Sequence, residues 1–294
     1  MRPARRHRFP VGVALAVAGA LVLGLSSCGS AATGSGSLSV AGSTTVLPIA
    51  EMAAEGFEAK TGTHVLVSGL GSSAGIEAVA NGTADIATSS RDLTDQERSL
   101  ELVDTVIAHD GIAVIANPDN PVEGLTSAQL RAIYAGEVTN WSEVGGADLA
   151  IQVVNRDEAS GTREAFRSIV MGDIPFDRRA AVLPGTGQVR DVVSRTPGAI
   201  GYISIGFVES DYASTKVKSI AIDGVDATES NVEDGSYPIS RELYFFTNGD
   251  PSGEVYDYIS YVLSDEMAQT ISDAGYIPAS GDIPDGAASS TKGE

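Results

Sequence analysis

The sequence predicts an α/β fold, because strand-like and helix-like patterns alternate through most of the chain after residue 37. Three of the strand-like runs end in glycine and hydroxyl residues just before a helical pattern begins. The 294-residue chain is also long enough to form two lobes, each with its own hydrophobic core. These observations predict strand-to-helix turns whose backbone N–H groups can meet a polar ligand.

Residues 1–27 are typical of a signal peptide. Four arginines precede an apolar run from Val11 to Leu25, which is shorter than a membrane span requires. The run closes on Ser26-Ser27-Cys28, which resembles a bacterial lipobox, so we expect Cys28 to carry the lipid that anchors the chain outside the cytoplasm. Cys28 is the only cysteine, and the alternative is a buried structural thiol. The Gly- and Ser-rich residues 28–37 predict a flexible linker.

The charge balance excludes some partners. The chain has 19 basic and 39 acidic residues, and the four arginines of the signal segment leave only 15 basic residues in the mature part. Nucleic acid and anionic membranes are therefore not expected partners, and the membrane is met through the lipid alone. His7, His64 and His109 are far apart in the sequence, so neither a metal site nor a cofactor is predicted.

The first two turns lie near the start of the mature chain. Residues 38–40, Leu-Ser-Val, predict a strand that runs through Gly42 into Thr44 and Thr45, with a helical pattern from 46 to 57. Residues 64–67 predict a second strand, which leads to Ser72, Ser73 and a short helix. A third short strand over residues 83–87 leads to Ser90 and Arg91.

The apolar runs 103–107 and 112–116 predict two separate strands, and residues 126–135 predict a helix. Further patterns predict a helix over 188–195, strands over 199–203 and 241–247, and one helical region over 251–273. The polar residues 280–294 predict a frayed tail.

The most informative turn follows the apolar strand 151–154. Arg156 supplies a planar cation, and Ser160, Gly161 and Thr162 stand at a helix N-terminus, where N–H groups and the helix dipole favour an oxyanion. The helix is predicted from one apolar face made of Ala165, Phe166, Ile169 and Val170. An ordinary helix start is the alternative, since serine and glycine also cap helices. The three turns with glycine and hydroxyl residues are those after residues 40, 67 and 154. None of them has the pattern of a nucleotide-binding P-loop or of a dinucleotide-binding loop.

The motifs, in their order and spacing, resemble the phosphate-binding lipoproteins that feed phosphate ABC importers of the Pst type. The matching segments are spread over most of the mature chain and are residues 41–45, 71–75, 85–91, 133–136, 140–141, 156–162 and 198–202. The resemblance implies a type II periplasmic-binding-protein fold, in which a hinge joins two α/β lobes around the ligand. It implies lobe one over residues 38–114 plus 241–279 and lobe two over 115–240.

The resemblance also implies the binding residues. Those that match the family's anion contacts are Thr44, Thr45, Ser72, Ser90, Arg156, Ser160, Gly161 and Thr162. Ser73, Arg91 and Glu158 are expected around them, with Glu158 holding the guanidinium of Arg156. Many relatives carry an aspartate at the place of Ser90, where it accepts the proton of the ligand; here the Ser90 hydroxyl is one candidate acceptor. For Glu158 the alternative is plain solvent exposure, and for Arg91 it is a surface ion pair with Asp92 or Asp95.

The implied function is binding of inorganic phosphate, without turnover, and its delivery to the permease subunits of an ABC importer, by a monomer. Two alternatives stay open. One is a receptor for another tetrahedral oxyanion such as sulfate. The other is a secreted phosphate-ester hydrolase with Ser160 as nucleophile, which would need a base and an orienting acid.

Overall fold

The structure, a computed structural model, describes residues 36–208, 216–280 and 283. The predicted signal peptide, Cys28 and nearly all of the linker and tail lie outside these residues. The strands are β1 Ser37–Gly42, β2 His64–Gly69, β3 Ile86–Ser89, β4 Val103–Ala116, β5 Gly124–Leu125, β6 Gln152–Arg156, β7 Ala181–Leu183, β8 Ala199–Ser204, β9 Lys218–Ile222, β10 Ser240–Thr247 and β11 Ile277–Pro278. The α-helices are α1 Leu47–Thr61, α2 Ser72–Ala80, α3 Ser127–Ala135, α4 Gly161–Phe166, α5 Thr186–Arg195, α6 Glu229–Glu233, α7 Gly253–Val262 and α8 Asp265–Asp273.

The strands form one curled sheet in the order β2-β1-β3-β10-β4-β8-β6-β7, with β11 and β9 beside β4 and β5 beside β9. Strands β1, β2 and β3 run parallel to one another, as do β6, β7 and β8. In the middle, β10 and β4 are antiparallel to each other and to their outer neighbours β3 and β8. Two parallel α/β units are therefore joined through a pair of antiparallel strands.

The two α/β units have separate hydrophobic cores. The buried apolar residues of the first half come from segments 38–108 and 243–276, and those of the second half from 112–239. On β4 the change of core falls between Ala108 and Ile112, and beside β10 it falls between Ile239 and Leu243. The chain thus crosses between the halves twice, at adjacent places. The exact lobe limits at residues 114 and 240 stay a prediction.

Strand β4 corrects one expectation. The two strands predicted over 103–107 and 112–116 are a single strand, because the intervening residues pair with β10 in register, Ala108 with Leu243 and Gly111 with Ser240. Its first part packs in one core and its last part in the other, so this strand physically connects the halves.

The helix that follows β6 also differs from its prediction. After α4 the chain continues as a π-helical turn over Arg167–Met171, which places one extra residue in the turn. The apolar face is shifted as a result: Phe166 and Val170 are buried as predicted, but Ile169 is 39% exposed and Met171 is buried instead.

The last helical region is two helices, because the Ser264 side chain accepts a hydrogen bond from the Met267 N–H and starts α8 anew. The helix predicted over 188–195 begins two residues earlier, at Thr186. Trp141 is buried in the core of the second half, and its indole N–H donates to the Gly198 carbonyl at 3.0 Å. Among the described helices, none combines the length and the apolar content needed to cross a bilayer.

Candidate functional site

The site lies at the carboxyl ends of the parallel strands. In open α/β sheets, ligands bind outside these strand ends, where the chain turns into helices. Strands β1, β2 and β3 end at this edge in the first half of the molecule, and β6 and β7 end there in the second half. Side chains from the turns of both halves meet at this edge, as the following distances show.

The turn after β1 depends on a glycine. Gly42 has a φ of 143°, and a Cβ on it would lie 2.1 Å from the Thr88 carbonyl oxygen. The close approach lets the Ser43 N–H donate to that carbonyl at 2.9 Å. Thr44 and Thr45 follow directly, and Thr45 is fully buried although it is polar. The turn therefore presents two hydroxyls at a fixed place.

Ser72 and Ser90 lie side by side in the first half. The Ser90 N–H donates to the Ser72 Oγ at 3.2 Å, and the two hydroxyl oxygens are 3.4 Å apart. Both residues are 1% exposed. Ser72 is also the first residue of α2, whose leading N–H groups have no partner within the helix.

Ser160, Gly161 and Thr162 come from the second half. The Ser160 Oγ accepts the Arg163 N–H at 3.2 Å and so caps α4, which leaves its hydroxyl proton free to be donated elsewhere. Gly161 touches the opposite half closely: a Cβ on it would lie 2.2 Å from the Ser72 Oγ and 2.8 Å from the Ser90 Oγ. Only a residue without a side chain fits between these serines.

Arg156 is the central cation of the site. It is 2% exposed, and its guanidinium donates to the carbonyls of Leu183 and Pro184, at 3.2 and 2.8 Å. It also donates to the hydroxyls of Thr186 and Thr44, both at 3.2 Å. Burial lowers the pKa of Arg156, yet an arginine in a protein stays protonated. Among the described residues, no carboxylate hydrogen-bonds it, so a buried positive charge meets only neutral acceptors.

Hydroxyl groups of the two halves contact each other directly. The Oγ1 atoms of Thr45 and Thr162 are 3.0 Å apart, and so are those of Thr44 and Thr186. The Ser73 N–H donates to the Ala159 carbonyl at 3.2 Å. The structure is thus a closed arrangement, in which the turns of the two halves are brought face to face.

Buried aromatic residues pack behind Arg156 and α4. The Tyr202 hydroxyl donates to the Asn155 side chain, whose oxygen also accepts the Arg156 N–H at 2.8 Å. The Tyr202 ring stacks on Phe166 of α4 at a centroid distance of 4.2 Å. This packing holds α4, through its last residue Phe166, in place relative to Arg156.

Two residues of the site were missed by the sequence reasoning. Thr186 follows Gly185 in the turn between β7 and α5, which is a fourth strand-to-helix turn of the same glycine–hydroxyl type. This pattern was a signal from which Thr186 could have been predicted. Arg241 is the second residue of β10 and donates to the Thr45 Oγ1 at 3.4 Å and to the Ser90 carbonyl at 3.2 Å. A lone arginine before an apolar strand is a weak signal, since it also suits an exposed strand end.

The three residues expected around the site have different outcomes. Arg91 is buried and forms an ion pair with Glu97 at 2.6 Å, while it also donates to the Ser73 hydroxyl at 3.0 Å. Arg91 therefore supports Ser73. The alternative, a surface ion pair with Asp92 or Asp95, was wrong, because the carboxylate partner of Arg91 is Glu97. The expectation for Glu158 was also wrong: its side chain is exposed, and main-chain carbonyls of the β7–α5 turn hold the guanidinium instead.

The surroundings of Ser160 do not favour a nucleophile. His64 pairs with Glu58 at the surface, and His109 lies on β4 opposite Glu242 and Ile277. Within the described ranges, neither histidine hydrogen-bonds Ser160, so the base that a serine nucleophile needs is not in place there. Nor do the described histidine and acidic residues gather in any group suited to a metal ion.

The fold and the site define a two-lobed binding protein of the type II periplasmic-binding-protein fold, with its ligand site between the lobes. The sequence profile described as "PBP superfamily domain" matches residues 29–266. Two similar curated proteins are the phosphate-binding proteins PstS of Bacillus subtilis and Borreliella burgdorferi. The first is 33% identical, over 83% of this chain and 81% of the relative, and the second 30%, over 82% and 89%.

Solved structures agree with these relatives. A phosphate ABC transporter substrate-binding protein from Clostridium perfringens, solved with bound phosphate, superposes with a TM-score of 0.78 at 36% identity, over 83% of this chain and 99% of that one. A phosphate transport receptor from Vibrio cholerae gives a TM-score of 0.68 at 35% identity, over 82% and 100%. The chain belongs to the PBP superfamily and, within it, to the family of PstS phosphate-binding proteins.

Proposed function

We propose that this protein binds inorganic phosphate outside the cytoplasm and delivers it to an ABC importer, as a receptor and not as an enzyme. The observation that carries the proposal is the buried guanidinium of Arg156, whose hydrogen bonds all go to neutral oxygens. A buried cation without a carboxylate partner favours an anionic ligand, which supplies the missing negative charge. The membership in the PstS family supports phosphate as that anion.

The hydroxyls and N–H groups of the two halves supply further donors to the anion. The contacts proposed are Thr44, Thr45, Ser72, Ser90, Arg156, Ser160, Gly161 and Thr162. Because Thr45 and Thr162 bond each other in the closed arrangement, the halves must separate slightly before an anion enters between them. The two strand crossings of β4 and β10 are the place for that hinge motion.

The proton of phosphate needs an acceptor. The Ser90 Oγ is one, since it lies 3.4 Å from the Ser72 Oγ and can give its own proton to that oxygen while it accepts the ligand's. The same hydroxyl can turn and donate its proton to a fully deprotonated anion such as sulfate, so Ser90 does not by itself discriminate between the two anions. The preference for phosphate in this proposal rests on the membership in the PstS family.

Titration calorimetry of the purified protein tests the function. We expect heat on adding phosphate and a far weaker signal with sulfate at the same concentration. Equal or stronger binding of sulfate would make the protein a receptor for another oxyanion. Release of phosphate from a phosphate ester would show a hydrolase instead.

We further propose that Cys28 carries the lipid, that the mature protein is a monomer, and that the permease subunits of the importer are its partners. Cys28→Ser should leave phosphate affinity unchanged and release the protein from the membrane fraction into the medium. Membrane retention of this variant would contradict the lipid anchor. Size-exclusion chromatography with light scattering checks the monomer.

A further inference from the structure

A buried ion pair lies between the hinge strands and the proposed phosphate site. Asp110 of β4 and Arg241 of β10 are paired across the two strands, at the place where both cross between the halves. The Arg241 Nε and Nη2 donate to one carboxylate oxygen of Asp110, at 2.9 and 2.7 Å. Asp110 is fully buried and the Arg241 side chain is 4% exposed. The other carboxylate oxygen accepts the Ser204 hydroxyl of β8 at 2.6 Å, so Asp110 has a contact in the second half as well.

The remaining donors of Arg241 reach two turns of the site. Its Nη1 donates to the Ser90 carbonyl at 3.2 Å, and its Nη2 donates to the Thr45 Oγ1 at 3.4 Å. One rigid guanidinium thus joins the hinge carboxylate to two residues that we place around the anion. A lysine could keep the ion pair, but its single nitrogen cannot reach all three groups in this fork geometry.

The hydrogen bond from Arg241 to Thr45 limits where the Thr45 hydroxyl can send its own proton. A threonine oxygen that accepts an N–H from a cation keeps its own proton for another acceptor. In the closed arrangement this neighbour is the Thr162 Oγ1 at 3.0 Å, and an anion between the halves would take the same proton. The hydrogen bond from Arg241 therefore leaves the Thr45 hydroxyl as a donor toward the space between the halves.

We propose that Arg241, oriented by Asp110, is a positioning residue for phosphate binding, which acts by directing the Thr45 hydroxyl. This inference rests on the proposed function. The competing explanation is an ion pair that serves the fold alone. Buried ion pairs are weak sources of stability compared with apolar packing, so the folding role does not by itself account for the forked contacts to the site.

The test is a double-mutant cycle on phosphate affinity, measured by titration calorimetry on the full mature chain. Arg241→Lys keeps a cation beside Asp110 and should preserve the thermal unfolding midpoint without phosphate, yet it should weaken phosphate binding about tenfold, the factor for losing one hydrogen bond from a charged donor. Thr45→Val removes the hydroxyl and keeps the shape. In the Thr45→Val background, Arg241→Lys should have a clearly smaller effect on affinity. Arg195→Lys, an exposed arginine paired with Asp191 on α5, is the matched control and should not change affinity.

The possible outcomes separate the two proposals. A wild-type protein that binds no phosphate contradicts the proposed function itself. A wild-type protein that binds phosphate, together with unchanged affinity in Arg241→Lys, leaves the function intact and overturns the positioning role. If Arg241→Lys lowers the unfolding midpoint, the cycle still decides: an effect of equal size with and without the Thr45 hydroxyl assigns Arg241 to the fold alone.

Discussion

The Arg156 guanidinium donates to the Thr44 hydroxyl at 3.2 Å, although 112 positions of sequence separate the two residues. Arg156 ends β6 in the second half, and Thr44 follows β1 in the first. The same hydroxyl lies 3.0 Å from that of Thr186 on α5. Two hydroxyls and one buried cation from three elements therefore converge on one point between the halves, and the first predictions concern this point.

Arg156→Ala should weaken phosphate binding by at least about 2 kcal/mol, the usual scale for losing a buried charged partner. Calorimetric titration of wild type and variant measures the difference. Arg195→Ala, which removes an exposed arginine of the same half, is the matched control and should bind as wild type does. Unchanged affinity in Arg156→Ala would remove this residue from the site.

Thr186→Val tests whether the fourth turn takes part in binding. The variant loses the contacts of its hydroxyl to Arg156 and Thr44, so we expect phosphate affinity to fall by about 1 kcal/mol, the net value of a hydrogen bond. Thr270→Val on α8 removes a hydroxyl that bonds only its own helix and serves as control. Equal affinities for the two variants would place Thr186 outside the binding contacts.

Gly161→Ala tests the closed arrangement. The added Cβ would lie 2.2 Å from the Ser72 Oγ, so we expect closure around phosphate to cost about 1–3 kcal/mol, as overpacking does. Stability without phosphate should change little, because the halves can stay apart. Gly187→Ala is the matched control in the first turn of α5, since its Cβ would meet nothing within 4 Å.

Calorimetry gives the affinity of both glycine variants, and small-angle scattering gives their compaction on adding phosphate. A Gly161→Ala protein that closes and binds as tightly as Gly187→Ala would show that the two halves do not approach as closely as the structure has them.

Glu97 should make stability depend on pH in the acid range. Burial alone would raise the pKa of this carboxyl, but hydrogen bonds from Arg91 and Thr94 outweigh burial and lower the pKa below its usual 4.5. A lowered pKa in the folded state stabilises the fold above pH 4.5, and this contribution is lost as the pH falls through the lower, folded-state pKa. Glu97→Gln should therefore reduce stability at neutral pH and flatten its decline in acid.

Urea unfolding of wild type and Glu97→Gln between pH 7 and pH 3 measures this dependence. Glu51→Gln, which changes an exposed carboxylate on α1, should follow the wild-type curve. The account of Glu97 would be wrong if its variant lost stability in acid as steeply as the wild type does.

The turns could be predicted because their signals are local. Thr44, Ser72 and Ser160 each follow a strand within a few residues. A short stretch of sequence is enough to recognise the pattern, which is glycine and hydroxyl residues followed by the apolar periodicity of a helix. The parallel strands then bring these turns to one edge, so the convergence of the predicted residues followed from the fold class.

Hydrogen-bond partners that are distant in sequence could not be predicted in this way. Glu158 stands two residues from Arg156, and this nearness suggested an ion pair, whereas the guanidinium turns toward the carbonyls of Leu183 and Pro184. Main-chain acceptors carry no residue-specific signal, so sequence reasoning could not find them. Ile169 was misplaced for a different reason, because an extra residue in one helical turn leaves no mark in an apolar pattern.

By itself the sequence determined the α/β class, the glycine–hydroxyl turns and the cation at position 156, because each depends on residues that are neighbours along the chain. Only the tertiary structure decided that Thr186 and Arg241 belong with these turns, and that Asp110 orients Arg241 where the two halves join. The physical reason is that hydrogen bonds between distant segments form only after both cores have packed, and packing fixes which groups face each other.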